Sequence, residues 1–99
     1  MTTIRLFERT GAFAENKDVA RELRLKELMP ALQRGEEVVL DFTGVEAATQ
    51  SFVHALISDA IRKHGAGALD LLAFKACSEP VKKIVAIVTD YMQEGLGPG

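Results

Sequence analysis

The sequence predicts an α/β fold with a mostly parallel sheet, its elements running in βαβαβα order. Three observations carry this. Short apolar segments at residues 38–42 and 69–74 are each followed by a longer stretch whose apolar residues recur at helical spacing. Each intervening stretch is long enough for the crossover that parallel strands require and a tight turn cannot supply. Polar cap residues, Asn16, Thr49 and Ser78, stand where each helix would begin. Ninety-nine residues, 47% of them apolar and 26% charged, suffice for one modest core and not for two. Residues 1–94 therefore read as a single domain, and the Gly-Leu-Gly-Pro-Gly end, 95–99, as a loose tail.

The first element, residues 3–7, sets Ile4 and Leu6 against Thr3 and Arg5, the alternation of a half-buried strand near a sheet edge. Thr10-Gly11 turns the chain, and residues 12–14 read as a brief return strand, which would add an antiparallel edge through an N-terminal hairpin. Asn16 caps a helix that runs to Arg34 and stops at Gly35. Leu25, Leu28, Met29 and Leu32 share one face of that helix, whereas Val19 and Leu23 lie off it, and Pro30 has no N–H to give Lys26. A kink or phase change is expected between Leu23 and Pro30.

Residues 38–42 form a buried strand, and a second helix opens at Thr49-Gln50-Ser51. Its apolar residues, Val53, Leu56, Ile57, Ala60 and Ile61, make an amphipathic stripe that His64-Gly65 ends. Residues 69–74 are apolar on both parities, as in an interior strand covered on both faces. Ser78 caps the last helix, with Pro80 in its first turn and Val81, Ile84, Val85, Val88 and Met92 facing inward.

Composition excludes several classes. A net charge of −2, with Lys and Arg scattered, lacks the basic surface of a nucleic-acid or anionic-membrane binder. Cys77 is the only cysteine, so neither an internal disulfide nor a multi-cysteine zinc site can form. The N-terminus has no signal-peptide core, and no apolar run reaches the roughly 20 residues of a membrane span, so a soluble, cytoplasmic protein is expected. No phosphate-loop or dinucleotide motif accompanies the isolated Gly44, and no cofactor is expected.

The informative stretch is residues 36–60, EEVVLDFTGVEAATQSFVHALISDA, in which a buried strand passes through a short loop into a helix start. Exposed backbone N–H groups there favour negative charge. Ser51 in the first turn reads either as a modification site or, with Thr49, as a helix cap. Ser51, His54 and Ser58 share a helix face, but no orienting third group or oxyanion loop accompanies them, so an enzyme is not expected. Asp41 reads as loop-shaping, accepting hydrogen bonds from loop N–H groups or from Thr43 and Thr49; Glu46 is the only nearby second carboxylate for a metal. Cys77 reads as a low-pKa thiol at a helix start or as a buried filler. His64 suits a helix end, and Asp59 and Lys63 form a surface pair.

At VVLDFTGVEAATQSFVHALI the chain resembles the STAS-like domain family of unknown function, short bacterial and archaeal domains related to anti-sigma-factor antagonists. The pattern falls on Asp41, Phe42, Gly44, Val45, Ser51 and Phe52, with further likeness at FKACSEPVKKIVAIV and at Gly11, Phe13, Ala20 and Leu23. The resemblance implies a small STAS-like interaction fold. Antagonists of that kind bind a histidine-kinase-type ATPase and are switched by phosphorylation of a serine at the helix start after this strand. Their Asp-Ser-Ser-Gly sequence laid on this chain puts Thr49, Gln50, Ser51 and Phe52 in those places, so Gln50 stands where the phosphoacceptor would be.

The expected function is thus a non-enzymatic regulatory domain that docks a protein partner through residues 45–54, using Thr49, Gln50, Ser51 and His54, with Asp41, Thr43 and Gly44 shaping the loop. The alternatives are a phosphorylation switch at Ser51 or Thr49, and a small ligand-binding or hydrolytic protein using Ser51, His54 and Asp41. Homodimerisation is open, and the sequence selects no surface for it.

Overall fold

The computed structural model of the chain describes residues 1–96. The order is β1 (Thr2–Arg5), α1 (Phe7–Thr10), β2 (Phe13–Ala14), α2 (Lys17–Leu23), a π-helix (Arg24–Leu28), α3 (Met29–Gln33), β3 (Val38–Asp41), β4 (Ala47–Ala48), α4 (Gln50–His64), α5 (Ala66–Leu71), β5 (Leu72–Lys75) and α6 (Glu79–Leu96). Three strands form a parallel sheet in the order β1-β3-β5, with Arg5, Asp41 and Lys75 in register at its carboxyl end. The α/β, mostly parallel reading holds. The expected tail begins inside α6, and its remainder, residues 97–99, lies outside the described residues.

The sheet buries one face. Ile4, Leu6, Val38, Leu40 and Phe42 point inward and are almost fully covered, while Thr3, Arg5, Ala73 and Lys75 alternate outward and are exposed. Phe42 and Phe74 stack beneath it with ring centroids 6.5 Å apart. Helix α4 is the spine of the core and packs against both α2 and α6. Its Phe52, Val53, Leu56, Ile57, Ala60 and Ile61 are all wholly buried, the stripe that helical spacing marks out. Gly65, with φ of +64°, closes α4 by giving its N–H to the Ile61 carbonyl.

The helix after Asn16 confirms its cap, since Asn16 Oδ1 accepts from the Asp18 and Val19 N–H groups at 2.8 and 3.4 Å. The expected phase change takes the form of the π-helix, in which Met29 N–H reaches back to the Arg24 carbonyl. Pro30 cannot bond the Lys26 carbonyl, and one extra residue in the turn rotates the next helical segment, bringing Leu28, Met29, Ala31 and Leu32 onto the core beside Ala20 and Leu23. Leu25 is the residue displaced. It is 58% exposed, not part of the inward face.

Four further expectations are corrected. The N-terminal hairpin does not form: Phe7 begins a single helical turn whose Arg9 and Thr10 N–H groups bond the Leu6 carbonyl, and Gly11 at φ +68° redirects the chain. Residues 13–14 consequently pair in parallel with β4, not antiparallel with β1. Residues 69–71 are helical, because Ala68, Leu71 and Leu72 also satisfy i, i+3, i+4 spacing, and a short apolar run fits either period. The strand that remains, β5, is an edge with Ala73 and Lys75 exposed; β3 is the interior strand. Asp59 pairs with Arg24 and Arg62 at 3.2 Å each, and not with Lys63. Among the described residues no helix is long and apolar enough to cross a membrane.

Candidate functional site

Strand β3 delivers Asp41 to the carboxyl end of the sheet, where the chain must turn toward α4. Asp41 Oδ1 accepts from the Thr43 N–H at 2.9 Å and from the Thr43 hydroxyl at 2.6 Å, a closed Asx-type turn. These two bonds hold the Asp41 carboxyl below its ordinary pKa against a small desolvation, and the charges of Lys75 and Arg5 add to the effect. Gly44 follows at φ +87°, and a Cβ there would sit 2.8 Å from the Phe7 ring, so both backbone and space call for glycine. The turn is thus closed by Asp41 and Thr43 and passes through Gly44. Thr49 is not among the donors to Asp41.

The loop is stitched down beyond that point. Val45 is 3% exposed and belongs to the core, which removes it from any docking contact. Ala47 and Ala48 form β4 against Phe13 and Ala14, with the Glu46 and Ala47 N–H groups bonding the Ala12 carbonyl and Thr49 N–H the Ala14 carbonyl. On the other side the Ser78 hydroxyl donates to the Glu46 carbonyl at 2.8 Å. Of residues 45–48, only Glu46 is exposed.

Helix α4 then opens in the expected manner. Thr49 is the cap, its Oγ1 accepting from the Phe52 N–H at 3.1 Å, and Thr49, Gln50 and Ser51 are all exposed. Phe52, wholly buried, seats the helix start beneath them. The Ser51 hydroxyl makes no hydrogen bond among the described residues, so at the rim one hydroxyl is committed to capping and the next is free. His54 is half-buried one turn on, and Gln50, Ser51, His54 and Ala55 line a shallow depression together with Lys17.

Lys17 is the residue sequence reasoning missed. It stands at the first position of α2, more than thirty residues away in the chain, and no local pattern distinguishes it from other surface lysines. Only the packing of α2 on α4 brings it to the rim.

The hydrolytic arrangement is not assembled. Ser58 is 4% exposed and inside the core, so it leaves the shared face of Ser51 and His54. Asp41 lines a separate depression with Arg5, Phe7, Glu8 and Thr43. Among the described residues no group of three His, Cys, Asp or Glu side chains is placed to hold a metal ion. Burial pushes the Cys77 thiol above its ordinary pKa, the charge of Lys82 opposing this only in part, the opposite sense to an activated thiol, and the half-buried side chain packs against the core. His64 ends α4 as expected, half-buried, with its Nε2 unpartnered among the described residues.

Comparison with known proteins supplies one match. A family model described as a STAS-like domain of unknown function (DUF4325) covers residues 19–82, from within α2 to the first turn of α6, and so includes the loop and the rim. No curated protein and no solved structure matches the chain. With well over half its length covered by that model, the chain belongs to the STAS-like domain family of unknown function.

Proposed function

We propose that this chain is a non-enzymatic regulatory domain of the anti-sigma-factor-antagonist type, acting in the cytoplasm, which docks a protein partner through the start of α4. The contact residues are Thr49, Gln50, Ser51 and His54, with Lys17 beside them. A histidine-kinase-type ATPase is the partner that the family resemblance suggests. The observation that carries this reading is the exposed polar trio over a rigid base: Phe52 is wholly buried below it, and the preceding loop is hydrogen-bonded to β2 and to Ser78. A preorganised surface loses little conformational freedom on binding. His54→Glu combined with Ser51→Arg, both outside the wholly buried core, should abolish capture of such an ATPase while the thermal unfolding midpoint stays put. Undiminished capture by the double variant rejects the surface.

A second reading, phosphorylation at the same rim, is favoured by the free Ser51 hydroxyl. It lies in the first turn of a 15-residue helix, where unpaired N–H groups and the nearby Lys17 ammonium would stabilise added negative charge. Thr49 is the poorer acceptor because its oxygen caps the helix. Incubation with the ATPase and ATP, followed by peptide mass mapping, should locate phosphate on Ser51. Absence of phosphate from both Ser51 and Thr49 under turnover conditions excludes the switch without excluding docking.

A further inference from the structure

In the three-stranded sheet β3 is bonded on both sides, so β1 and β5 each leave one edge open. Lys75 gives its carbonyl to the Phe42 N–H. The alternation of a parallel ladder therefore turns the N–H and C=O of Ala73 and Lys75 toward β3, and those of Leu72 and Phe74 away from it. The Leu72 N–H is spent on the Ala68 carbonyl. Three backbone groups remain in a row on the open edge: the Leu72 C=O, the Phe74 N–H and the Phe74 C=O. The half-buried Phe74 side chain, on the inward face of the same strand, lines a depression of about 380 Å³ between β5 and α6, together with Ala76, Cys77, Lys82, Val85 and Ala86. The two edges also differ in charge. On β1 the outward Arg5 is answered by Glu8 at 3.9 Å. On β5 the outward Lys75 stands in no ion pair among the described residues, and Lys82 is held only by the exposed Glu79 at 3.7 Å.

We propose that the open edge of β5 accepts an extended segment of a protein partner, added antiparallel as a further strand, with an aliphatic side chain in the depression and two acidic residues immediately before it. Only an extended chain offers donors and acceptors at the repeat of this backbone row. In an antiparallel pair, the more stable kind per residue, the residue opposite Phe74 exchanges both hydrogen bonds with it. Its side chain lies on the same face as that of Phe74 and so enters the depression, and the N–H two residues further on meets the Leu72 carbonyl. The preceding residue falls opposite Lys75 on the outer face, and the one before that opposite Ala76 on the inward face, where Lys82 lies. Carboxylates at both places meet cations that the domain leaves unneutralised or loosely held, which is what selects an acidic segment over a neutral or basic one. The groove belongs to β5 and α6, and it stands whether or not the rim at Thr49–Gln50–Ser51 binds anything.

The probe is the capped peptide acetyl-Thr-Glu-Glu-Ile-Thr-Thr-amide, titrated into the isotope-labelled full chain and followed by nuclear magnetic resonance. Saturable binding is expected with a dissociation constant on the order of 100 μM, together with hydrogen exchange at the Phe74 amide slowed by more than about threefold at saturation. Methylating the isoleucine nitrogen removes the donor to the Phe74 carbonyl and should weaken binding at least about tenfold, whereas methylating the nitrogen of the next threonine, which faces away from β5, should change it by less than about threefold. Ala86→Glu sets a carboxylate in the depression and should weaken binding at least about tenfold, with circular dichroism matching the parent because the position is exposed. Lys75→Glu should weaken it about fivefold, and replacing the glutamate next to isoleucine by lysine should restore it. Absence of saturable binding, indifference to methylation of the isoleucine nitrogen, or a charge swap that restores nothing each overturns the assignment. Phe74 amide protection that rises with chain concentration in the absence of peptide would make a second copy the occupant, and overturns it equally.

Discussion

Helices α4 and α6 both begin at a hydroxyl residue, Thr49 in one and Ser78 in the other, and both hydroxyl oxygens accept the N–H three residues on, at 3.1 and 3.4 Å. Three residues past each cap a wholly buried side chain seats the helix, Phe52 in α4 and Val81 in α6. The likeness stops there. The Ser78 hydroxyl also donates to the Glu46 carbonyl, so the start of α6 is spent on holding the neighbouring loop. At α4 the Thr49 hydroxyl makes the cap alone, and Ser51 remains exposed with its hydroxyl unengaged among the described residues. Two helix starts with the same local chemistry therefore differ in what they leave available to another molecule, and the difference comes from which neighbours lie within hydrogen-bonding reach.

The contrast can be broken first at the seats. Phe52→Ala should cost about 3–5 kcal/mol of unfolding free energy in urea titrations, against roughly 2 kcal/mol for Val81→Ala, since more apolar volume is removed beneath the rim. Similar losses would mean that the ground under α4 is no firmer than that under α6. Next come the caps. Thr49→Ala loses one cap bond and should cost about 1 kcal/mol, whereas Ser78→Ala also strands the Glu46 carbonyl tie and should cost about 1.5–2 kcal/mol. Equal values would remove the distinction between a cap that only caps and one that also ties down a loop.

The loop leading into α4 adds a pH signature. Asp41 has its folded-state pKa held below the ordinary carboxylate value by the two Thr43 bonds, so its stabilising contribution is complete above that ordinary value and is lost as pH falls through the folded one. Glu22, bonded to Lys26 and Arg9, and Glu36, bonded to Arg34, behave in the same sense. Asp41→Asn keeps an acceptor for Thr43 while abolishing the titration, and should flatten part of the decline in thermal midpoint between about pH 5 and about pH 2. An unchanged acid limb would assign the decline to the two glutamates. The smallest effect is expected at the rim itself: Ser51→Ala should alter stability by less than about 0.5 kcal/mol, because its hydroxyl holds nothing in place. A larger loss would give Ser51 a structural duty and weaken the case for the rim as a docking surface.

Much of the fold is legible in the chain. The caps at Asn16, Thr49 and Ser78, the stripe of α4 and the stop at Gly65 are readable because each rests on hydrogen bonds or side-chain periodicity within a few residues. Pro30 and the mismatch between Leu23 and Leu28 announce a phase change, although not that a π-helix supplies it or that Leu25 is expelled. Residues 69–71 read as strand and fold as helix, since a short, mostly apolar run, broken only by Asp70, satisfies two periods at once. The hairpin fails because a two-residue strand carries no information about which partner it will meet. At the rim, the exposure of Thr49, Gln50 and Ser51 can be read from the helix boundary, while the burial of Val45 and Ser58 cannot.

What the sequence by itself determined is where the three capped helices begin, where α4 ends, which face of α4 goes inward, and that a hydroxyl-rich turn follows a buried strand. These follow from interactions spanning a handful of residues, whose partners are present however the rest of the chain folds. Only the tertiary structure decided that β2 pairs with β4, that β5 is an edge, that Lys17 stands beside Ser51, and that Ser78 is spent on Glu46 while Ser51 is left free. Each of those depends on segments some thirty residues apart arriving at the same place, and close packing, not local pattern, selects which of them do.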